Sequence, residues 1–160
     1  MILTQEALKG RFEELKMSRT SKAVPYCNHR IGSGPQYSGG YENCNAIALL
    51  NHSVVGLSHH DSNVITPEDV FSAFLEDMLS LVSIESLIAV PVGGDEDHFE
   101  RNKECLGGSG IPIVGEYLDY FSDDECGDRT EDMGTKSIVV APGTQEVIMY
   151  SPPAGYVKLH

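Results

Sequence analysis

The sequence predicts a fold of the α/β class in its α+β form, a two-layer sandwich built on a mixed β-sheet. Three observations predict it. The chain has 160 residues, 41% of them hydrophobic, which is enough for one core and one domain. Its apolar runs are mostly of strand length, with few helical stretches among them. The runs follow the order helix, hairpin, long helix, strand, short helix, strand, hairpin.

Residues 4–17 read as a helix. Thr4 can cap its start, Ala7, Leu8, Phe12 and Leu15 recur at helical spacing, and Gly10 weakens its middle. Residues 18–43 are rich in Ser, Gly, Tyr, Asn and Pro and read as a long loop, of a length that often carries function. Apolar runs at 44–50 and 53–59 flank Asn51-His52 and read as a β-hairpin with a two-residue turn. Thr66-Pro67 opens a helix over 67–82, with Val70, Phe71, Phe74, Leu75, Met78, Leu79 and Val82 on one face. Residues 87–92 read as a strand ended by Gly93-Gly94, 97–106 as a short polar helix, and 111–118 as a strand. An acidic loop follows at 121–134, then a second hairpin, 136–142 and 145–152, across Gly143-Thr144. Beyond Pro152-Pro153 the chain reads as a frayed tail, 153–160. Nothing repeats and nothing reads as a linker, so a single domain is expected over 1–160.

Composition excludes several function classes. The formal net charge is −13. Sequence-independent nucleic-acid binding and anionic membrane surfaces both need cationic side chains, so neither partner is expected. No run approaches the roughly 18 apolar residues of a membrane span, and the charged start lacks the apolar core of a secretory signal. A cytoplasmic protein is expected. Its four cysteines, at 27, 44, 105 and 126, are then expected to be free thiols or part of a metal site. Cys27, His29, Cys44, His59 and His60 could supply zinc ligands, but their spacing matches no standard pattern. Ser122-Asp123-Asp124-Glu125 lacks the glycine and final glutamate of a calcium loop. Arg101 reads as a structural ion-pair partner, and Gly93-Gly94 as a strand-end turn.

The first hairpin permits a register argument. With Asn51-His52 as its turn, residues whose numbers sum to 103 face each other, and Cys44 faces His59. Opposed residues have Cβ atoms about 4.5–5.5 Å apart. A cysteine and a histidine at that distance form the minimum unit of cysteine nucleophilic catalysis. A bulge or a longer turn would bring His60 or Ser58 to that place instead. The bland alternative is a buried strand cysteine beside a core histidine.

The segment Tyr41-Glu42-Asn43-Cys44 through Val55-Gly56-Leu57-Ser58-His59 resembles the cysteine-to-histidine hairpin of the CheD family of chemoreceptor glutamine deamidases. There a histidine follows a Gly-rich approach of the Gly-Gly-Met-Ala-His kind. The helix at 67–82 and the strand ending in Gly93-Gly94 are similar to that family's, as is the stretch 99–119 with its Glu-Arg-Asn helix and Gly-Ile-Pro-Ile-Val strand. Residues 136–151 resemble its closing hairpin, with Gly143 at the turn. The likeness spans roughly 38–151 in order and extends to deamidating toxins of the cytotoxic-necrotizing-factor kind. Three features depart from it: the Tyr-Glu-Asn lead to Cys44, His60-Asp61 after the histidine, and the acidic insertion 121–134, where Gly127 and Arg129 stand as remnants of a glycine-rich region. Residues 1–37, a divergent helix and loop, do not match.

The resemblance implies a CheD-like domain and a protein-glutamine deamidase, converting glutamine to glutamate with release of ammonia. Cys44 would be the nucleophile and His59 the general base. Ser38, a hydroxyl residue six before the cysteine, would orient His59; Asp61, Tyr41 and Asn43 are alternatives. Oxyanion donors would be backbone N–H groups near Asn43–Asn45. No metal or organic cofactor is expected. The implied partner is a glutamine-bearing protein, a chemoreceptor or another. The alternative is a non-catalytic CheD-like scaffold that binds a signalling partner.

Overall fold

The computed structural model describes residues 3–41, 44–61, 63–118, 136–152 and 154–160. The acidic segment 121–134, Cys126, Gly127, Arg129 and Asn43 lie outside the described residues, as does the side chain of Tyr41. Helix α1 (Gln5–Lys16) starts where Thr4 accepts the N–H of Ala7 at 3.1 Å and buries Leu8, Phe12 and Leu15. Helix α2 (Pro67–Leu79) has Pro67 in its first turn, where a missing N–H costs nothing. It buries Val70, Phe71, Phe74 and Met78. Asp95 caps α3 (Glu96–Gly108) by accepting from His98 at 3.0 Å.

Ten strands lie among the described residues: β1 (Lys22–Ala23), β2 (Asn28–Gly32), β3 (Gln36–Tyr41), β4 (Ala46–Leu50), β5 (Val55–His59), β6 (Ile88–Gly93), β7 (Tyr117–Leu118), β8 (Lys136–Val140), β9 (Val147–Ser151) and β10 (Gly155–Lys158). They divide between two five-stranded sheets, in the orders β1-β3-β8-β9-β10 and β2-β5-β4-β6-β7. Each is mixed, through the parallel pairs β1–β3 and β6–β7. The class and the mixed sandwich are as predicted, and both layers of the sandwich prove to be sheets.

Alternation along the strands decides what each face buries. Ala46, Ala48, Leu50, Val55, Leu57, Val90 and Val92 of one sheet meet Ile138, Val140, Val147 and Met149 of the other in the central core. The outward residues Ile47, Leu49 and Ala89 pack under Phe71, Phe74 and Met78 of α2 and Leu106 of α3. On the far side, Val139 and Ile148 pack under Phe12 and Leu15 of α1. No helix among the described residues is long and apolar enough to cross a membrane.

Several boundaries differ from the expectation. The loop expected over 18–43 contains β1, β2 and β3. Residues 153–160 are not frayed: β10 pairs with β9, and Leu159 donates to the Val147 carbonyl at 2.8 Å. The strand expected at 111–118 shrinks to β7 and a bridge from Ile113 to Ala89. The first hairpin turns over Asn51–Val54, with the Asn51 N–H on the Val54 carbonyl at 3.0 Å and Asn51 Oδ1 on the Ser53 N–H at 2.8 Å. That Asx turn adds two residues to the loop. Its register pairs Ala48 with Leu57 and Leu50 with Val55. Residues facing each other therefore sum to 105, not 103.

Candidate functional site

A slip of two residues keeps every side chain on its own face. Cys44 is thus not directly opposite His59, but it still shares the inter-sheet face with it. Asn45 bridges to His60, and Cys44 packs against the central core. His59 is its diagonal cross-strand neighbour, a separation of roughly 7 Å at Cα that these two side chains together can span. Cys44 is half-buried, and His59 is only 2% exposed.

Ser38 reaches His59 from the other sheet. It sits on β3 opposite Ile138, just before a β-bulge between Ser38 and Tyr41 that holds Gly40 at φ 78°. That conformation suits glycine, and a bulge beside a site is a common way to aim a side chain. The buried Ser38 hydroxyl donates to the Val24 carbonyl at 2.8 Å and lies 2.9 Å from His59 Nδ1. A carbonyl only accepts, so the serine proton goes to Val24 and the serine oxygen accepts from Nδ1–H. This fixes the tautomer and makes Nε2 the ring's basic nitrogen. Burial lowers the His59 pKa from 6.5 to about 4, against a smaller upward pull from Asp61, so the ring is neutral at pH 7.

Of the alternative orienters, Asp61 is engaged elsewhere. It accepts a short hydrogen bond from the Tyr26 hydroxyl and another from the Asn63 N–H at 2.9 Å. These bonds hold its carboxyl below the usual range and push the Tyr26 phenol up. The Tyr26 ring lies edge-on to His59, centroids 5.5 Å apart. Tyr26 and Asp61 therefore form a clasp beside His59 that no sequence signal marked. Lys136 was missed as well. It is fully buried at the start of β8, two residues from Ile138, on the inter-sheet face at the Ser38 end. A buried lysine is rare unless compensated.

The expected oxyanion donors need correction. The Asn45 N–H is committed to the His60 carbonyl at 2.8 Å and cannot serve. Behind the site, on the opposite face of the sheet, His60 and Asn45 point into a small pocket with His98 and Asn102. Burial lowers the His60 pKa from 6.5 to about 3. No group of three His, Cys, Asp or Glu side chains among the described residues could hold a metal ion. Arg101 pairs with Glu68, joining α3 to α2. Gly93 is more than a turn residue, since a Cβ there would lie 2.6 Å from Phe99 Cβ and 2.8 Å from Asn45 Oδ1.

No protein-family model and no curated protein matches the sequence. Among solved structures, the fold is similar to a hypothetical protein of Bacillus licheniformis, YfiH. The TM-score is 0.53 at 14% sequence identity, over 86% of this chain and 80% of that one. At that identity the likeness is one of fold alone.

Proposed function

We propose that the chain is a cysteine-dependent protein-glutamine deamidase of CheD-like type. The observation that carries this reading is the Val24–Ser38–His59 chain of hydrogen bonds, which leaves Nε2 as the basic nitrogen on the face that Cys44 shares. Cys44 Sγ bonds to the side-chain carboxamide carbon of a glutamine while Nε2 takes the thiol proton. The tetrahedral adduct collapses as Nε2 returns that proton to nitrogen, and ammonia leaves. Water then adds to the thioester, again deprotonated at Nε2, and the thiol departs to leave glutamate. A neutral His59 suits this order, because a buried resting ion pair would carry a desolvation cost.

The near-complete burial of His59 favours the second reading, a binding scaffold in which the pair is structural. Alkylation distinguishes them. In the folded protein at pH 7.5, Cys44 is expected to react with iodoacetamide at least about tenfold faster than Cys27 and Cys105, and His59→Ala to remove the difference. A Cys44 rate no greater than the others, read by peptide mass spectrometry, would reject the nucleophile.

A further inference from the structure

The segment between α1 and β3 runs along the open side of the sandwich, forming the edge strand of each sheet, β1 and then β2. Between them lies a cavity of about 470 Å³ lined by Arg19, Thr20, Lys22, Arg30, Ser33 and Gly34, among others. Three of the chain's 11 lysines and arginines meet there, and among the described residues no carboxylate lines it, although the chain carries 24. Arg11, Arg101 and Lys103 all pair with carboxylates, whereas none of these three does among the described residues. All three are exposed. Like charges held around one hollow repel, and an anion between them reverses the sign of that interaction.

The walls are also built to stand close. A Cβ on Gly34 would collide with the Thr20 carbonyl oxygen, so only glycine lets the β2–β3 turn abut the α1–β1 connection. We propose that this cavity binds the phosphoryl group of a phosphorylated ligand. Two guanidinium forks and an ammonium match the three oxygens and the double charge of phosphate. The volume falls within the range of small-molecule pockets and exceeds what one inorganic phosphate fills. Among the described residues no aromatic side chain lines the hollow, so recognition falls on the anion and not on a stacked ring.

Its place adjoins the candidate site. Lys22 lies two residues before Val24, and Arg30 two residues beyond Asn28, the cross-strand partner of His59. Two strand residues span about 7 Å, so a bound phosphoryl group sits on the approach to the Ser38–His59 pair. The proposal does not depend on Cys44 being a nucleophile.

The experiment is a titration of the full chain with pyrophosphate, followed by amide chemical shifts at constant ionic strength. Saturable shifts are expected at Lys22, Arg30 and Gly32–Gly34, with a Kd below about 1 mM. Arg30→Gln is expected to weaken binding about tenfold, Arg30→Lys less, and the triple variant Arg19→Gln/Lys22→Gln/Arg30→Gln to abolish it. Cys44→Ala should bind as the parent does. A phosphoserine peptide that binds more tightly than pyrophosphate assigns the ligand to a modified protein, and the reverse order to a small metabolite; both support the site. Shifts that do not saturate by about 10 mM, or that survive in the triple variant, overturn it.

Discussion

Ser38 has one proton, and the Val24 carbonyl takes it. Everything at the candidate site follows from that commitment, because it turns the serine into an acceptor and the histidine into a base of fixed tautomer. Ser38→Ala keeps the fold but frees the ring, and is expected to lower deamidation by up to about a hundredfold, while Ser38→Thr retains most of it. Equal rates for all three, by ammonia release, would remove Ser38 from the mechanism. The two adjacent histidines also predict acid sensitivity. Both are buried neutral, with pKa values lowered from 6.5 to about 4 for His59 and about 3 for His60. Below pH 6.5 the unfolded chain takes up protons that the fold refuses. The stability they contribute is complete above about 6.5 and is lost as pH falls towards those lower values. With two such groups the slope approaches about 2.7 kcal/mol per pH unit. His59→Gln is expected to remove about half of the slope between pH 6.5 and 5, measured from urea midpoints. An unchanged slope would mean that His59 is charged in the folded chain.

Strand β5 meets helix α2 at one point where no side chain fits. A Cβ on Gly56 would lie 2.5 Å from Phe74 Cε1 and 2.7 Å from Cζ. Gly56→Ala is therefore expected to cost about 1–3 kcal/mol, and Phe74→Leu in the same chain to cost less than its own penalty, since it vacates the contested space. Strict additivity in denaturant melts would show that the two residues do not press on each other. The helices were legible because their caps and apolar faces are local. The strands β1, β2 and β3 were not, because Ser, Gly and Asn give no alternation and their pairing comes from partners far along the chain. The hairpin was legible as to face and not as to register: the Asn51 side chain lengthens the turn by two residues, and apolar residues on both faces leave no pattern to count against. Cys44 and His59 kept their shared face only because the slip was even. The Tyr26–Asp61 clasp joins residues 35 apart and had no local signal. The last strand shows the opposite error, since a Pro-Pro start suggested fraying where Gln5 receives the Tyr156 N–H and donates to its carbonyl, both at 2.7 Å. The Tyr156 ring also meets Phe12 edge-on at 5.5 Å. Tyr156→Ala is expected to cost about 1–2 kcal/mol, where a frayed residue would cost under about 0.5.

The whole molecule carries −13 at neutral pH, and that total governs approach, while the cationic hollow beside β2 acts only within a screening length of about 8–10 Å. At longer range the field draws cationic surfaces and repels anionic ones. If the candidate site acts on glutamine, the favoured substrate is a folded protein whose target side chain stands among lysines or arginines, because that surface raises the encounter rate. Free glutamine, a net-neutral zwitterion, gains little from such a field. Ammonia release and a mass gain of about one dalton per converted side chain are therefore expected on a cationic glutamine-bearing protein, more slowly on an anionic one of similar size, and negligibly on free glutamine. The advantage of the cationic substrate is expected to shrink as salt rises from about 0.05 to 0.5 M, since screening shortens the field's reach. All activity is expected to vanish in Cys44→Ala. Efficient hydrolysis of free glutamine would reject the protein substrate and leave the nucleophile standing. A rate independent of salt and of substrate charge would show that the acidic surface plays no part in approach, and undiminished activity in Cys44→Ala would reject the cysteine mechanism altogether.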